Sequence, residues 1–345
     1  MENSTLMKKS YSGYALACFA FLAATTAVQL FNAFVLAKVL PESFTQSSAF
    51  IFLNIIIPEY IIGLPLLLLL SFKMDKKAPE KNKFGFGRFI VCFLLLAGST
   101  GVLNIVGLLV HVGVLNIFGR SLMDNLGIGG IMMNSNPFWR ILTVGILAPI
   151  VEEFIFRKFL IDRTYKYGEW VAIITSALMF GLFHGNFSQF FFATVMGGIM
   201  AYVYIRTGKV WITIIYHMII NLSTSVIYMG LYSRIDMEKL SVMTDLANQV
   251  RASGGQDEAL VQSYTDAVVA VLPSLLPFAL FVGFEFLLVM AGLVMWIIVL
   301  ARKKVKVVKT EDTVEKGMKF AWGNVGMIIF VIGCLGLFVY NYIII

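Results

Sequence analysis

The sequence predicts an all-α protein, a polytopic transmembrane helix bundle with about nine spans. Three observations carry that expectation. Of 345 residues, 59% are hydrophobic and only 14% charged, with a mean hydropathy of +0.85. A soluble domain carries roughly 25% charged residues, so charges are too scarce here to cover a water-facing surface. Apolar runs of about 18 residues or more recur along the chain, each long enough to cross a bilayer as a helix. The runs are continuous and rich in Leu, Ile, Phe and Met, unlike the short alternating strands of a membrane barrel. Lipid offers the backbone no hydrogen-bond partners, which leaves the helix as the form these runs can take.

The first run, from about Gly13 to Val39, follows Lys8 and Lys9. It is too long for a signal-peptide core and no small-residue cleavage site follows, so it reads as an uncleaved span. Further spans are expected near residues 48–72, 89–118, 137–160, 169–186, 187–206, 209–231, 271–300 and 323–345. Only His184, Gly185 and Asn186 mark a turn between the fifth and sixth. Basic loops fix the orientation. Lys73, Lys76, Lys77, Lys81, Lys83 and Arg88 fall in one, and Arg157, Lys158, Arg163 and Lys166 in a second. Arg206 and Lys209 fall in a third, and the segment Arg302 to Lys319 forms a fourth. Placing all four in the cytoplasm puts the N-terminus inside and the C-terminus outside. The acid-rich loop from Ser233 to about Val269 then lies outside, and has room for a short amphipathic helix. The chain thus divides into N-terminal helices (1–118), a central core (137–231), an extracytoplasmic loop (232–270) and C-terminal helices (271–345). No internal repeat and no separate soluble domain stand out.

The net charge of +7 does not imply a nucleic-acid partner, because the basic residues sit between apolar runs and mark topology. The expected surroundings are the lipid bilayer of a cell membrane. Cys18, Cys92 and Cys334 lie inside apolar runs without ligand spacing and read as small buried hydrophobes.

Ionisable residues within spans are costly and point to function. Those present are Glu59, His111, Glu152, Glu153, Arg157, His184, His217 and Glu285. Three sets fall within residues 137–231. In the fourth span Pro149 precedes Glu152 and Glu153; it cannot donate an amide and crowds the carbonyl of Gly145, so the helix should loosen just before the acids. Glu153 and Arg157 are spaced to pair along one face. Glu152 is rotated about 100° away, so it faces a different neighbour. A carboxylate left without its own cation in an apolar site is suited to take a proton. In the fifth span Phe180 and His184 share a face, and an aromatic there shields the imidazole. In the seventh, His217 and Asn221 share a face and would point to a common pocket. Rise counting puts His184 about 10 Å nearer the outer side than Glu152 and His217, an offset the fold must absorb. For each set alone the plain reading is a solvated ion pair or polar glue between helices. It is their conjunction on three nearby spans that points to a site.

Glu152-Glu153-x-x-x-Arg157, Phe180-x-x-x-His184 and His217-x-x-x-Asn221, in that order, resemble the CPBP family. That family comprises type II CAAX prenyl endopeptidases and bacteriocin-processing or bacteriocin-immunity membrane proteases. The resemblance covers 137–231 and departs at no defining position; the flanking helices match nothing. It implies hydrolysis of peptide bonds within the membrane, in peptide or membrane-protein substrates. Carried over, Glu152 is the base that activates water, His184 holds and polarises that water, and His217 with Asn221 stabilises the oxyanion. Glu153, Arg157 and Phe180 support them. No cofactor is expected. The alternative is zinc held by Glu152, His184 and His217, a legitimate ligand set, though not at His-Glu-x-x-His spacing. Of Glu59, His111 and Glu285, the first is expected to pack helices or line a cavity. Broken helices with acids also suit a secondary transporter using Glu59 and Glu285, and a non-catalytic immunity scaffold is the other competing class.

Overall fold

The computed structural model describes residues 2–121, 136–303, 305–310 and 312–344. Ile345, where the last expected span ends, and Lys304, in one basic loop, lie outside them. Every regular element among the described residues is helical. The principal helices are α1 (Glu2–Val39), α2 (Ser48–Ser71), α3 (Phe86–Ile117), α4 (137–164), α5 (Glu169–Phe183) and α6 (Phe187–Thr207). They continue with α7 (Val210–Tyr232), α8 (Met237–Ala252), α9 (Glu258–Ala301), α10 (Gly317–Trp322) and α11 (Val325–Ile343).

Seven of these helices (α1, α2, α3, α6, α7, α9 and α11) are long and apolar enough to cross a membrane. The other two expected spans are α4 and α5. The second half of α4 carries Glu152, Glu153, Arg157 and Lys158. α5 is apolar but has 15 residues, about 22 Å at 1.5 Å per residue against a hydrocarbon core of about 30 Å. α4 packs against α1, α2, α6 and α7, and α5 against α4, α6, α10 and α11. Ten of the 15 residues of α5 are buried, against three of the 44 in α9, whose apolar side chains face outward. The fourth and fifth segments are therefore interior elements more than lipid-facing ones.

Among the described residues α1, α2, α4, α7 and α11 all contain stretches that depart from regular winding, and in α2 and α4 proline explains where. Ala148, just before Pro149, sends its N–H back five residues to Thr143 O. Leu64, just before Pro65, reaches Glu59 O in the same way. The missing N–H and the bulk of each ring open the preceding turn to a wide, π-type one, as expected from Pro149. A second wide stretch, Phe154–Phe159, follows the acids. Two of its carbonyls take bonds from other helices: the Tyr14 hydroxyl donates to Ile155 O at 2.6 Å and the Ser176 hydroxyl to Phe156 O at 2.9 Å. Buried backbone acceptors thus stay satisfied where the helical ladder is loosened.

Around α4 the core is continuous. Tyr11, Tyr14 and Phe21 of α1, Phe156 and Leu160 of α4, Met179 and Phe180 of α5, Met196 and Met200 of α6, Tyr216 of α7 and Phe330 of α11 belong to one buried cluster. On the far side α3 and α9 approach closely at two glycines. A Cβ on Gly98 would stand 2.6 Å from the carbonyl carbon of Gly292. Small residues allow helices in lipid such contact, and Trp296 Nε1 donates across it to Ser99 Oγ at 2.7 Å.

The acid-rich loop contains α8, as its length allows, and Asp236 caps it by accepting from Lys239 N. The eighth span, expected from residue 271, begins as helix at Glu258, because Asp257 caps it there. Cys18, Cys92 and Cys334 are free thiols, the first and last buried.

Candidate active site

α4, α5 and α7 bring the three sequence sets together. Glu153 is fully buried and its two oxygens have separate partners. Oε2 lies 3.0 Å from Arg157 Nε, and Oε1 lies 3.0 Å from His217 Nδ1. Arg157, also fully buried, places its guanidinium 4.5 Å over the ring of Phe180 and Nη2 3.5 Å from the Met200 sulfur. A buried charge is tolerable when paired in this way; here one carboxylate holds both a guanidinium and an imidazole.

Glu152 stands differently. Its side chain keeps 22% of its surface exposed and lies 3.8 Å, through Oε2, from His217 Nε2. That oxygen is buried and makes no hydrogen bond among the described residues. The two adjacent acids therefore divide, one committed on both oxygens and one open, as their 100° separation on a helix requires.

The histidines can be assigned by their bonds. His184 Nδ1 sits 2.8 Å from the Phe180 carbonyl, which can only accept, so Nδ1 donates and Nε2 carries the free valence. His217 Nδ1 is taken up by Glu153, so whatever this ring offers a reaction it offers from Nε2, on the Glu152 side. Phe180 lies edge-on to both rings, at 4.9 Å from His184 and 5.8 Å from His217. The offset in height that rise counting gives does not keep the two apart. Asn221 does not share a pocket with His217 in the simple way its spacing suggests. Its Nδ2 donates to Val144 O at 2.9 Å, tying α7 to the wide turn of α4. One N–H of that amide is used in this way and the other remains.

Three acids or imidazoles outside these sets find distinct places. Glu59 and Tyr60, on the wide turn of α2, are close enough to Glu152 to interact with its charge. Glu59 thus reaches the edge of the site, and Tyr60 is a neighbour that spacing alone did not single out. The signal available was the run Pro58-Glu59-Tyr60 with Pro65 following. Glu285 accepts a short hydrogen bond from the Ser223 hydroxyl, linking α9 to α7. His111 pairs with Tyr342, away from the acids.

As they stand, Glu152, His184 and His217 do not converge as a ligand set; among the described residues no three His, Cys, Asp or Glu side chains do. His217 has Nδ1 on Glu153, and its Nε2 lies 3.8 Å from Glu152 Oε2.

These helices and these side chains define a class, a multi-pass helical membrane protein with polar residues gathered between interior helices. Residues 134–223 match the family model described as Type II CAAX prenyl endopeptidase Rce1-like. Over 82 residues the chain is 35% identical to a Bacillus subtilis (strain 168) protein described as "Putative membrane peptidase YdiL". That stretch is 24% of this chain and 34% of the relative, so the chain spans about a third of the length of the curated relative it matches. No solved structure matches. The resemblance to the CPBP proteases, read from three spaced motifs, is borne out by the two matches.

Proposed function

We propose that the chain is an intramembrane endopeptidase in which Glu152 activates water for attack on a peptide bond. The observation that carries the reading is the unequal state of two adjacent acids. Glu153 has one oxygen on His217 and the other in an ion pair with Arg157 at 3.0 Å, whereas Glu152 has a buried oxygen without a hydrogen bond or a guanidinium beside it, 3.8 Å from an imidazole nitrogen. A base needs the second condition and its support needs the first.

In this reading water lies between Glu152 and Nε2 of His184. As its oxygen bonds to the substrate carbonyl carbon, one proton passes to Glu152. The other hydrogen is held by His184 Nε2, whose Nδ1–H is committed to Phe180 O. The carbonyl oxygen gains the negative charge. The second N–H of Asn221 is available to it, as is Nε2–H of His217 when that ring is protonated, with Glu153 behind it. When the C–N bond breaks, Glu152 returns its proton to the leaving amine, leaving one carboxyl and one amine product. Arg157 pairs with Glu153 and holds it in place, and Phe180 screens both imidazoles from lipid and water.

The substrates proposed are peptides or membrane-associated protein segments, since the site lies among interior helices of a multi-pass protein. The proposed orientation has the basic loops and the N-terminus in the cytoplasm. The test is to express the wild type and Glu152→Gln in a host lacking the protein and compare membrane and secreted peptides by mass spectrometry. The reading predicts that defined cleavage products vanish and longer precursors accumulate at equal protein levels. Identical peptide profiles for the two would refute it.

A further inference from the structure

His184 is the last residue before a break in the chain, and the break is held from outside the segment that matches the family model. Between α5 and α6 the backbone turns at Gly185, with φ +63°. A turn of this kind leaves backbone groups without helical partners. Three of them here have partners outside the helical ladder. The carbonyl of His184 accepts from Asn186 Nδ2 at 2.8 Å. The carbonyl of Gly185 accepts from Asn341 Nδ2 at 2.9 Å. The N–H of Phe187, the first of α6, donates to the Tyr342 hydroxyl at 2.8 Å. Two of the three partners therefore come from the end of α11, more than 150 residues along the chain.

The Tyr342 hydroxyl has a second partner, His111 Nδ1 of α3, at 2.6 Å. A phenol has one proton. The oxygen accepts from Phe187 and bonds His111 Nδ1 as donor or acceptor according to the ring's tautomer, so it bridges α6 and α3 in either case. Tyr342 is 3% exposed and His111 8%, so neither bond competes with bulk water. Apolar contacts close the joint. Phe338 packs against Phe187 with ring centroids 4.8 Å apart. A Cβ on Gly185 would stand 2.7 Å from Leu337 Cβ.

On its other side His184 is fixed by α5, through its N–H to Gly181 O and its ring to Phe180 O. The imidazole is thus set between two supports, α5 and the end of α11. We propose that the end of α11, backed by His111, positions His184, with Tyr342 and Asn341 as positioning residues that act through the 184–187 turn. The assignment rests on the reading of His184 as part of the site. It gives His111, the intramembrane histidine outside the catalytic set, a defined task.

The test uses the full chain in lipid nanodiscs as wild type, Tyr342→Phe and Asn341→Leu. The first removes the hydroxyl and keeps the ring; the second removes a different bond to the same turn. The histidines are labelled with diethyl pyrocarbonate and followed residue by residue by mass spectrometry. Labelling of His184 should rise about threefold or more in each variant as the turn opens locally, with His217 unchanged. Where the wild type shows Glu152-dependent cleavage, kcat should also fall about tenfold at unchanged KM, as expected for a misplaced group that acts in the transition state. Unchanged labelling of His184 in both variants overturns the proposal. So does labelling that rises equally at His184 and His217, which marks general loosening, or faster His184 labelling with unchanged kcat. A wild type without Glu152-dependent cleavage would defeat the peptidase reading, while the labelling would still decide whether α11 holds the turn.

Discussion

α4 and α9 contain the same ingredients, proline followed by buried-side glutamate in an apolar helix, and use them in opposite ways. α9 runs unbroken through Pro273 and Pro277 over 44 residues, its one intramembrane acid, Glu285, bound to a single hydroxyl on α7. α4 changes winding before and after Glu152 and Glu153, and its acids meet groups from its own helix and α7. Proline alone does not account for the difference. α9 mostly faces outward, where solvent-side or lipid-side carbonyls can tilt without cost to neighbours. α4 is enclosed, and its freed carbonyls are taken by Tyr14, Ser176 and Asn221 from three other helices. Loosened winding in the interior is sustained by outside donors, and these donors hold the acids in register.

The largest expected effect separates the two helices by activity. Glu152→Gln should lower cleavage by at least about 10³-fold, roughly 4 kcal/mol of barrier. Glu285→Gln, which keeps a partner for Ser223, should stay within about threefold of wild type. Quantitative peptide mass spectrometry measures both, and equal losses would erase the contrast. Next comes stability. Arg157→Met leaves the buried Glu153 with the imidazole alone and should cost about 3–4 kcal/mol, read from thermal unfolding in detergent. The double variant Glu153→Gln, Arg157→Met should recover part of that loss, and a double variant worse than the single would contradict the pairing. At the α3–α9 contact Gly98→Ala should cost about 1–3 kcal/mol, since backbone of Gly292 stands in the way of the methyl. The smallest effect is on the outward face. Gly283 has nothing within 4 Å of an added Cβ, so Gly283→Ala should be neutral or stabilise by up to about 1 kcal/mol. A destabilised Gly283→Ala would show that α9 is packed where it is taken to be open.

Much of this was legible in the sequence because the information was local. Hydropathy runs gave the helices, and the ends of α2, α3, α6 and α7 fall within a few residues of where they were expected. Spacing of four residues gave the Glu153–Arg157 pair and the Phe180–His184 contact, each on one helix face. What was hidden depends on tertiary neighbours. No local pattern says that His217 turns Nδ1 to Glu153, or that Asn221 ties itself to Val144. The apolar character of α5 suggested a span, but not that ten of its 15 residues would be buried among other helices. The bond from His111 to Tyr342 joins residues 231 apart, a separation at which periodicity carries no signal.

The loop between α2 and α3 bears on how such a protein is made. Its Lys77 N–H donates to Asp162 O at 2.6 Å, and its Asn82 N–H to Thr207 O at 3.0 Å. Gly208, at φ +62°, lies so close that a Cβ there would meet Glu80 O at 2.6 Å. During synthesis the loop emerges with neither acceptor in existence. At about 5–20 residues per second the chain needs several seconds more to supply both. The first three helices must therefore wait in the bilayer with this seam unsewn, and the bundle closes from that side only after α6 has followed them in.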